Sequence, residues 1–169
     1  MVRKIVPALL FLLAAYGGSI NAAQALEVTK TVTINAPAAD VWDEVNDFDD
    51  LDEWHPAVAE AEITKGGDDN QPGAQRLLTL GDGGTIEEEL LEYDDAGMSF
   101  TYRILEGVLP VRNYESTVMV EAAGANKSKA TWTGTFDAKG ADDQTATETI
   151  DGVYQARLDN LKKQVETDD

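Results

Sequence analysis

The chain has no cysteine and a single histidine, His55, among its 169 residues. Without thiols there is no disulfide staple and no thiolate nucleophile, so packing alone must hold the fold. A serine triad would have to use His55, which sits between Trp54 and Pro56 at the end of a short helical pattern. Capping or surface packing is the competing account of that imidazole. A zinc site would rest almost wholly on carboxylates, which is not the usual zinc donor set. The acid-rich run Asp47 to Glu53 lacks the glycine and closing glutamate of a calcium loop. No metal and no cofactor are expected. Basic residues are scarce as well, 13 against 32 acidic ones for a net charge of −19. Such a surface repels nucleic acid and anionic lipid.

Long apolar runs are confined to the start. Arg3 and Lys4 precede the apolar stretch Ile5 to Tyr16, and Ala23-Gln24-Ala25 offers a small-x-small cleavage site. The stretch falls short of the roughly 20 residues a membrane span needs, and no cysteine stands near the cut to carry a lipid. Residues 1–25 are therefore expected to be a secretory signal, with no permanent membrane anchor. A periplasmic or secreted single domain of residues 26–169 would follow. Loss of Arg3 and Lys4 leaves 11 basic residues against 32 acidic, a mature charge of −21. That charge selects basic partners, or serves solubility alone.

What fills the remainder is alternation of period two. Val28, Val32 and Ile34 share one face of a first strand, and Pro37 opens a helix carrying Ala38, Val41, Trp42 and Val45 through Asn46. A second short helix is expected over Asp49–Trp54. Strands are predicted at 58–65, 76–80, 85–93, 99–105, 114–121 and 129–136, joined by Gly/Asp/Asn turns too short for crossover helices. A long helix is expected over Thr147–Glu166. Its apolar stripe is Ile150, Val153, Tyr154, Leu158, Leu161 and Val165, and its polar face takes Asp151, Arg157, Asp159, Lys162 and Lys163. Gly152 would permit a close approach of backbone or ligand.

Candidate chemistry lies in carboxylates, arginines and rings. Glu87 and Glu89 share one strand face, Glu88 and Glu92 the other; an acid turned inward could act in general acid–base catalysis, and an outward one is merely solvated. Arg76 and Arg112 could clamp a ligand carboxylate or pair with one of the many acids. Trp132 and Phe136 share a strand face, as do Phe100 and Tyr102, and such aromatics either fill the core or touch a ligand.

The order strand, two short helices, six strands, long helix is that of an α+β helix-grip fold: a curved antiparallel sheet of about seven strands around a C-terminal helix. In that order, Ala36-Pro-Ala-Ala-Asp40-Val41-Trp42, Trp54-His55-Pro56, Gly73-Ala-Gln-Arg76, Glu88 to Asp95, Tyr102, Pro110 to Tyr114 and Trp132 before Phe136 resemble the SRPBCC superfamily, the Bet v 1 and START relatives that include polyketide cyclase/dehydrase-like proteins. With the export signal, the Trp-His-Pro segment looks most like the periplasmic MxaD-type proteins associated with methanol oxidation. The resemblance implies a pocket for a small apolar molecule between sheet and helix. Its implied ligand-binding set is Trp54, His55, Arg76, Glu88, Phe100, Tyr102, Arg112, Tyr114, Trp132, Phe136 and Tyr154. It also implies an accessory role beside a periplasmic dehydrogenase or cytochrome; the alternative is a cyclase/dehydrase-type enzyme using pocket carboxylates. Leu80 to Gly84 and Leu109 to Tyr114 stand where the plant hormone receptors of the superfamily have gate and latch loops. Gly83 replaces the gate proline and Leu109 the latch histidine, so hormone sensing of that kind is not implied.

Exported material should begin at Leu26. N-terminal sequencing checks this, and an intact Met1 on the exported form would refute the signal reading.

Overall fold

The computed structural model describes residues 24–67 and 70–167. The expected export segment lies almost wholly outside them. Seven strands form one antiparallel sheet in the order β1-β7-β6-β5-β4-β3-β2, with β1 Leu26–Ile34, β2 Val58–Lys65, β3 Gln75–Leu80, β4 Thr85–Asp94, β5 Ser99–Gly107, β6 Val111–Gly124 and β7 Lys127–Ala138. Two short helices, α1 Ala38–Asp43 and α2 Leu51–Trp54, follow β1, and α3 Asp143–Thr167 closes the chain. This is the helix-grip architecture.

Alternation decides which face is inward. On β7, Ala130, Trp132, Gly134 and Phe136 are buried, while the β7 threonines pair outward with threonines of β1. The outward hydroxyl pairs Thr29–Thr133 and Thr31–Thr131 satisfy one another at 3.0 Å. Inside, Val28, Ile34, Val41, Trp42, Phe48 and Leu78 join the rings of β5, β6 and β7 beneath Ile150, Tyr154, Leu158 and Leu161 of α3. α3 is also tied to β1: Lys30 bridges Asp151 at 2.9 Å, and Lys162 Nζ donates to the Thr33 carbonyl at 2.8 Å.

Several expectations are corrected. α1 ends at Asp43 rather than Asn46, because the amides of Val45 and Asn46 both turn back to the Trp42 carbonyl and tighten the last turn. α2 begins at Leu51, with Asp50 as its N-cap. α3 starts four residues earlier than Thr147, its first turn fixed by Asp142, whose carboxylate accepts from the Thr145 amide at 2.7 Å. Gly152 faces open space, so it makes no close approach. Arg157 is not on the polar face; it is buried at 3% exposure.

β6 begins at Val111 instead of Tyr114, for a reason that shapes the molecule. β5 and β6 pair only as far as Arg103 and Glu115. Beyond that point Glu106 and Gly107 stay with β4, whereas Val111 and Arg112 stay with β7. The hairpin splays. The register shift between Arg112 and Glu115 is taken up at Asn113, whose φ of 52° is left-handed and whose side-chain amide donates to Asp137 at 2.8 Å.

Candidate functional site

Among the described residues, the inner face of the sheet carries one ion pair. Arg76 on β3 and Glu88 on β4 are cross-strand partners, and their side chains are each 2% exposed. Arg76 Nε and Nη2 donate to the same Glu88 oxygen at 2.8 and 2.6 Å, while Nη1 donates to the Phe48 carbonyl. The guanidinium lies 4.0 Å from the Phe48 ring centre. Arg76 thus anchors the loop between α1 and α2 to the sheet. Glu88 resolves the carboxylate question: it is the acid turned inward, and it is engaged. A bulge between Leu90 and Glu92 keeps Glu92 exposed. Breaking such a pair from one side costs about 3–5 kcal/mol, since the survivor is left as an uncompensated buried charge.

Deeper under α3 runs a chain of hydroxyls. Tyr102 Oη lies 3.2 Å from Tyr114 Oη, Tyr114 Oη 2.6 Å from Tyr154 Oη, and Tyr154 Oη 2.9 Å from Ser116 Oγ. Ser116 donates to the Thr133 carbonyl at 2.9 Å and accepts from Trp132 Nε1 at 2.8 Å. Its one proton is thereby used, so the bond from Tyr154 must arrive as a donation. The same bookkeeping runs back through Tyr114 to Tyr102 and gives the chain one direction. Burial, reinforced by the neighbouring Tyr102, pushes the Tyr114 and Tyr154 phenols well above their ordinary range. Neither is a phenolate at neutral pH. Gly134 makes the arrangement possible: a Cβ there would sit 2.1 Å from Tyr154 Oη, so any side chain would evict the phenol.

Trp132 is the floor of this interior. It stacks on Tyr154 with centroids 5.4 Å apart, meets Tyr102 edge-on at 6.3 Å, and faces Trp54 at 5.5 Å. The Arg157 guanidinium lies 4.6 Å from its ring centre. Arg157 Nε and Nη1, and Trp54 Nε1, are buried without a hydrogen-bond partner. His55, the C-cap of α2, is buried rather than on the surface. Its Nδ1 accepts from the Ala57 amide at 2.9 Å, which leaves the proton of the neutral ring on Nε2. Burial, then the positive charge of Arg157, lowers its pKa to about 3.

The structure brings together Trp54, His55, Arg76, Glu88, Phe100, Tyr102, Tyr114, Trp132, Phe136 and Tyr154, all buried. Arg112 is the exception: its side chain is 64% exposed and lies 3.7 Å from Asp137, on the outer side of the bulge. The space expected to hold an apolar pocket is filled by these rings. A concavity of about 430 Å³ lies instead at the splayed β5–β6 hairpin, lined by Ile104, Leu109, Val111, Arg112 and Tyr114 among others. The Leu80–Gly84 segment is a hydrogen-bonded turn, with the Leu80 amide on the Gly84 carbonyl and the Gly83 amide on the Leu80 carbonyl. Sequence reasoning missed Phe48 and Ser116 and assigned Arg157 to the wrong face of α3. Arg157 stood in plain spacing, three residues after Tyr154 and four before Leu161, but its charge outweighed its position.

These features define a helix-grip protein with a ring-lined interior. Residues 25–166 match the family model described as polyketide cyclase / dehydrase and lipid transport, and the chain belongs to that family. The protein XoxI from Bacillus cereus is similar in structure, with a TM-score of 0.76, 30% identity, and coverage of 82% of this chain and 94% of that one. The Zhui aromatase/cyclase from Streptomyces shares the fold at a TM-score of 0.70 and 22% identity, covering 85% and 94% of the two chains. A START superfamily protein from Mycobacterium smegmatis does so at 0.70 and 18%, covering 83% and 97%. Comparison with curated proteins finds no sequence match.

The lowered pKa of His55 carries a sign for stability. The folded ring binds its proton more weakly than the unfolded one, so the unfolded chain takes up the extra proton as pH falls below about 6.5. His55 therefore favours folding fully above that pH and progressively less toward about 3. The slope is at most ~1.4 kcal/mol per pH unit. His55→Asn, which retains an acceptor for the Ala57 amide, should flatten the fall in Tm between about pH 7 and about pH 5. Parallel melting curves for the two proteins would show that His55 is not held neutral.

Proposed function

We propose that this protein is an exported, non-enzymatic binding or accessory protein that takes one small apolar molecule into its helix-grip interior. The carrying observation is the double position of Tyr114. It lines the cleft of about 430 Å³ and its hydroxyl also joins Tyr102 and Tyr154 inside. That volume lies within the roughly 300–1,000 Å³ of small-molecule sites. A guest entering between the separated halves of the sheet meets Ile104, Leu109, Val111 and Tyr114, and goes deeper only by displacing the rings that fill the interior. The cyclase/dehydrase alternative needs a free interior acid. The engagement of Glu88 with Arg76 weighs against it.

Naphthamide, a neutral apolar probe, should bind saturably and quench the fluorescence of Trp54 and Trp132. Leu109→Asp puts a charge at the mouth and should weaken that binding about tenfold, a ~1.4 kcal/mol change. Absence of saturable binding, or an affinity indifferent to Leu109→Asp, would overturn the reading.

We further propose an MxaD-type role in the periplasm, beside a dehydrogenase or its cytochrome. The Trp54-His55-Pro56 segment and the leader-like sequence of Arg3-Lys4, the apolar stretch Ile5 to Tyr16 and Ala23-Gln24-Ala25 support it. A mature charge of −21 would steer a basic partner, speeding association more than deepening affinity. Screening shortens from about 30 Å at 0.01 M salt to about 10 Å at 0.1 M. Stopped-flow mixing with a basic periplasmic cytochrome or dehydrogenase should show association slowing steeply across that range; a salt-independent rate would remove the steering role.

A further inference from the structure

We propose that Arg157, together with the indole N–H of Trp54 and the imidazole N–H of His55, forms a buried anion seat that takes the carboxylate of an apolar acid. This rests on the binding reading above and specifies the ligand's chemistry.

The first argument is charge. Among the described residues, the buried ionised side chains are Arg76, Glu88 and Arg157. Arg76 and Glu88 neutralise one another at 2.6 Å, and Arg157 forms no ion pair. A chain with net charge −19 and 32 acidic residues thus keeps one uncompensated cation in its interior. Burying a charge without a counter-ion is strongly unfavourable, and in so acidic a sequence a partner carboxylate was cheap to supply.

The second argument is the sign of the hydrogen-bonding groups. Arg157 Nε, Arg157 Nη1 and Trp54 Nε1 are donors with nothing to donate to. His55 Nε2 carries the proton, because Nδ1 is occupied as an acceptor by the Ala57 amide. Four backbone carbonyls of the α2 segment each already accept one bond. The Leu51 and His55 carbonyls accept from the His55 and Val58 amides, and the Glu53 and Trp54 carbonyls accept from Gln164 and Asn160 of α3. A water molecule accepts at most two of these donations and brings two protons of its own to place. A carboxylate brings about four acceptor sites and no proton, so it matches an all-donor seat.

The third argument is position. Arg157 and Trp54 both lie against Trp132, and Arg157 follows Tyr154 by three residues on the inward stripe of α3. The seat therefore continues the ring-lined interior, and an apolar body reaches it by parting the closely packed rings, its acid group then meeting Arg157. The shared chemistry also admits a small free anion.

Naphthoate, naphthamide and acetate separate these sources. Wild-type protein should bind naphthoate at least about tenfold more tightly than naphthamide. Arg157→Met should erase that preference and, having lost an unpaired buried charge, should melt no lower than wild type. Arg157→Lys keeps the charge, guards against a packing artefact in the methionine variant, and should retain part of the preference. Equal affinity for naphthoate and naphthamide, or a preference that survives Arg157→Met, would overturn the seat while leaving apolar binding intact. Acetate raising Tm in an Arg157-dependent manner, with neither naphthyl compound bound, would uphold the seat and overturn apolar binding. No response to either acid would overturn the seat.

Discussion

Trp132 is the contact on which the rest of the interior is organised. Strand β7 presents it inward, with 0% exposure, between the sheet and α3. One indole then sets several relationships at once. Its face receives Tyr154 and with it the register of α3; its edge meets Tyr102; its N–H terminates on Ser116, which closes the hydroxyl chain. Rings of this size dominate core energetics, and offset geometries add about 0.5–1.5 kcal/mol per pair beyond their buried area. In a chain without disulfides, that concentration of contact supplies the rigidity a cross-link would otherwise give.

The polar interior is built on a different economy. The Arg76–Glu88 pair and the directed chain from Tyr102 to the Thr133 carbonyl satisfy their members internally, whereas the group around Arg157 and Trp54 does not. A satisfied network stiffens a core, and buried polar groups without a partner inside the fold call for one from outside it, whether water, ion or ligand. Two polar clusters within one small interior thus differ in kind. The first anchors the α1–α2 connection through Phe48; the second faces the ring floor with donors only.

The sequence made the fold legible because a half-buried sheet writes its faces in alternation. Trp132 and Phe136 announced their side of β7 without help, and the Gly/Asp turns separated the strands. Limits appeared where residue identity and position disagreed. Arg157 has the spacing of a core residue and the chemistry of a surface one, and chemistry prevailed in the reading. Pro110 to Asn113 looked like a loop because a strand interrupted by a left-handed asparagine breaks its own alternation. Gly134 shares the inward face of β7 with Trp132 and Phe136, and nothing beside it in the sequence explains why that place has no side chain. Its purpose depends on Tyr154, twenty residues away, and no local pattern reports that contact. Arg112 combines a scarce cation with a loop position, the pattern of a ligand clamp, yet its side chain lies outward beside Asp137.

The placement of β1 beside β7 bears on how the chain reaches this state. Leu26 pairs with Phe136 and Ile34 with Ser128, so the first strand made waits for the last before it has a neighbour. Every other ladder joins consecutive strands and closes a short loop. Loop closure grows in entropic cost with length, and folding slows as contacts become less local. The β2 to β7 meander can therefore assemble first, with its inner face uncovered, and both β1 and α3 must arrive afterwards. During that interval Trp132 and its neighbouring rings are exposed, which makes the late docking of the two chain ends the step at which aggregation competes with folding.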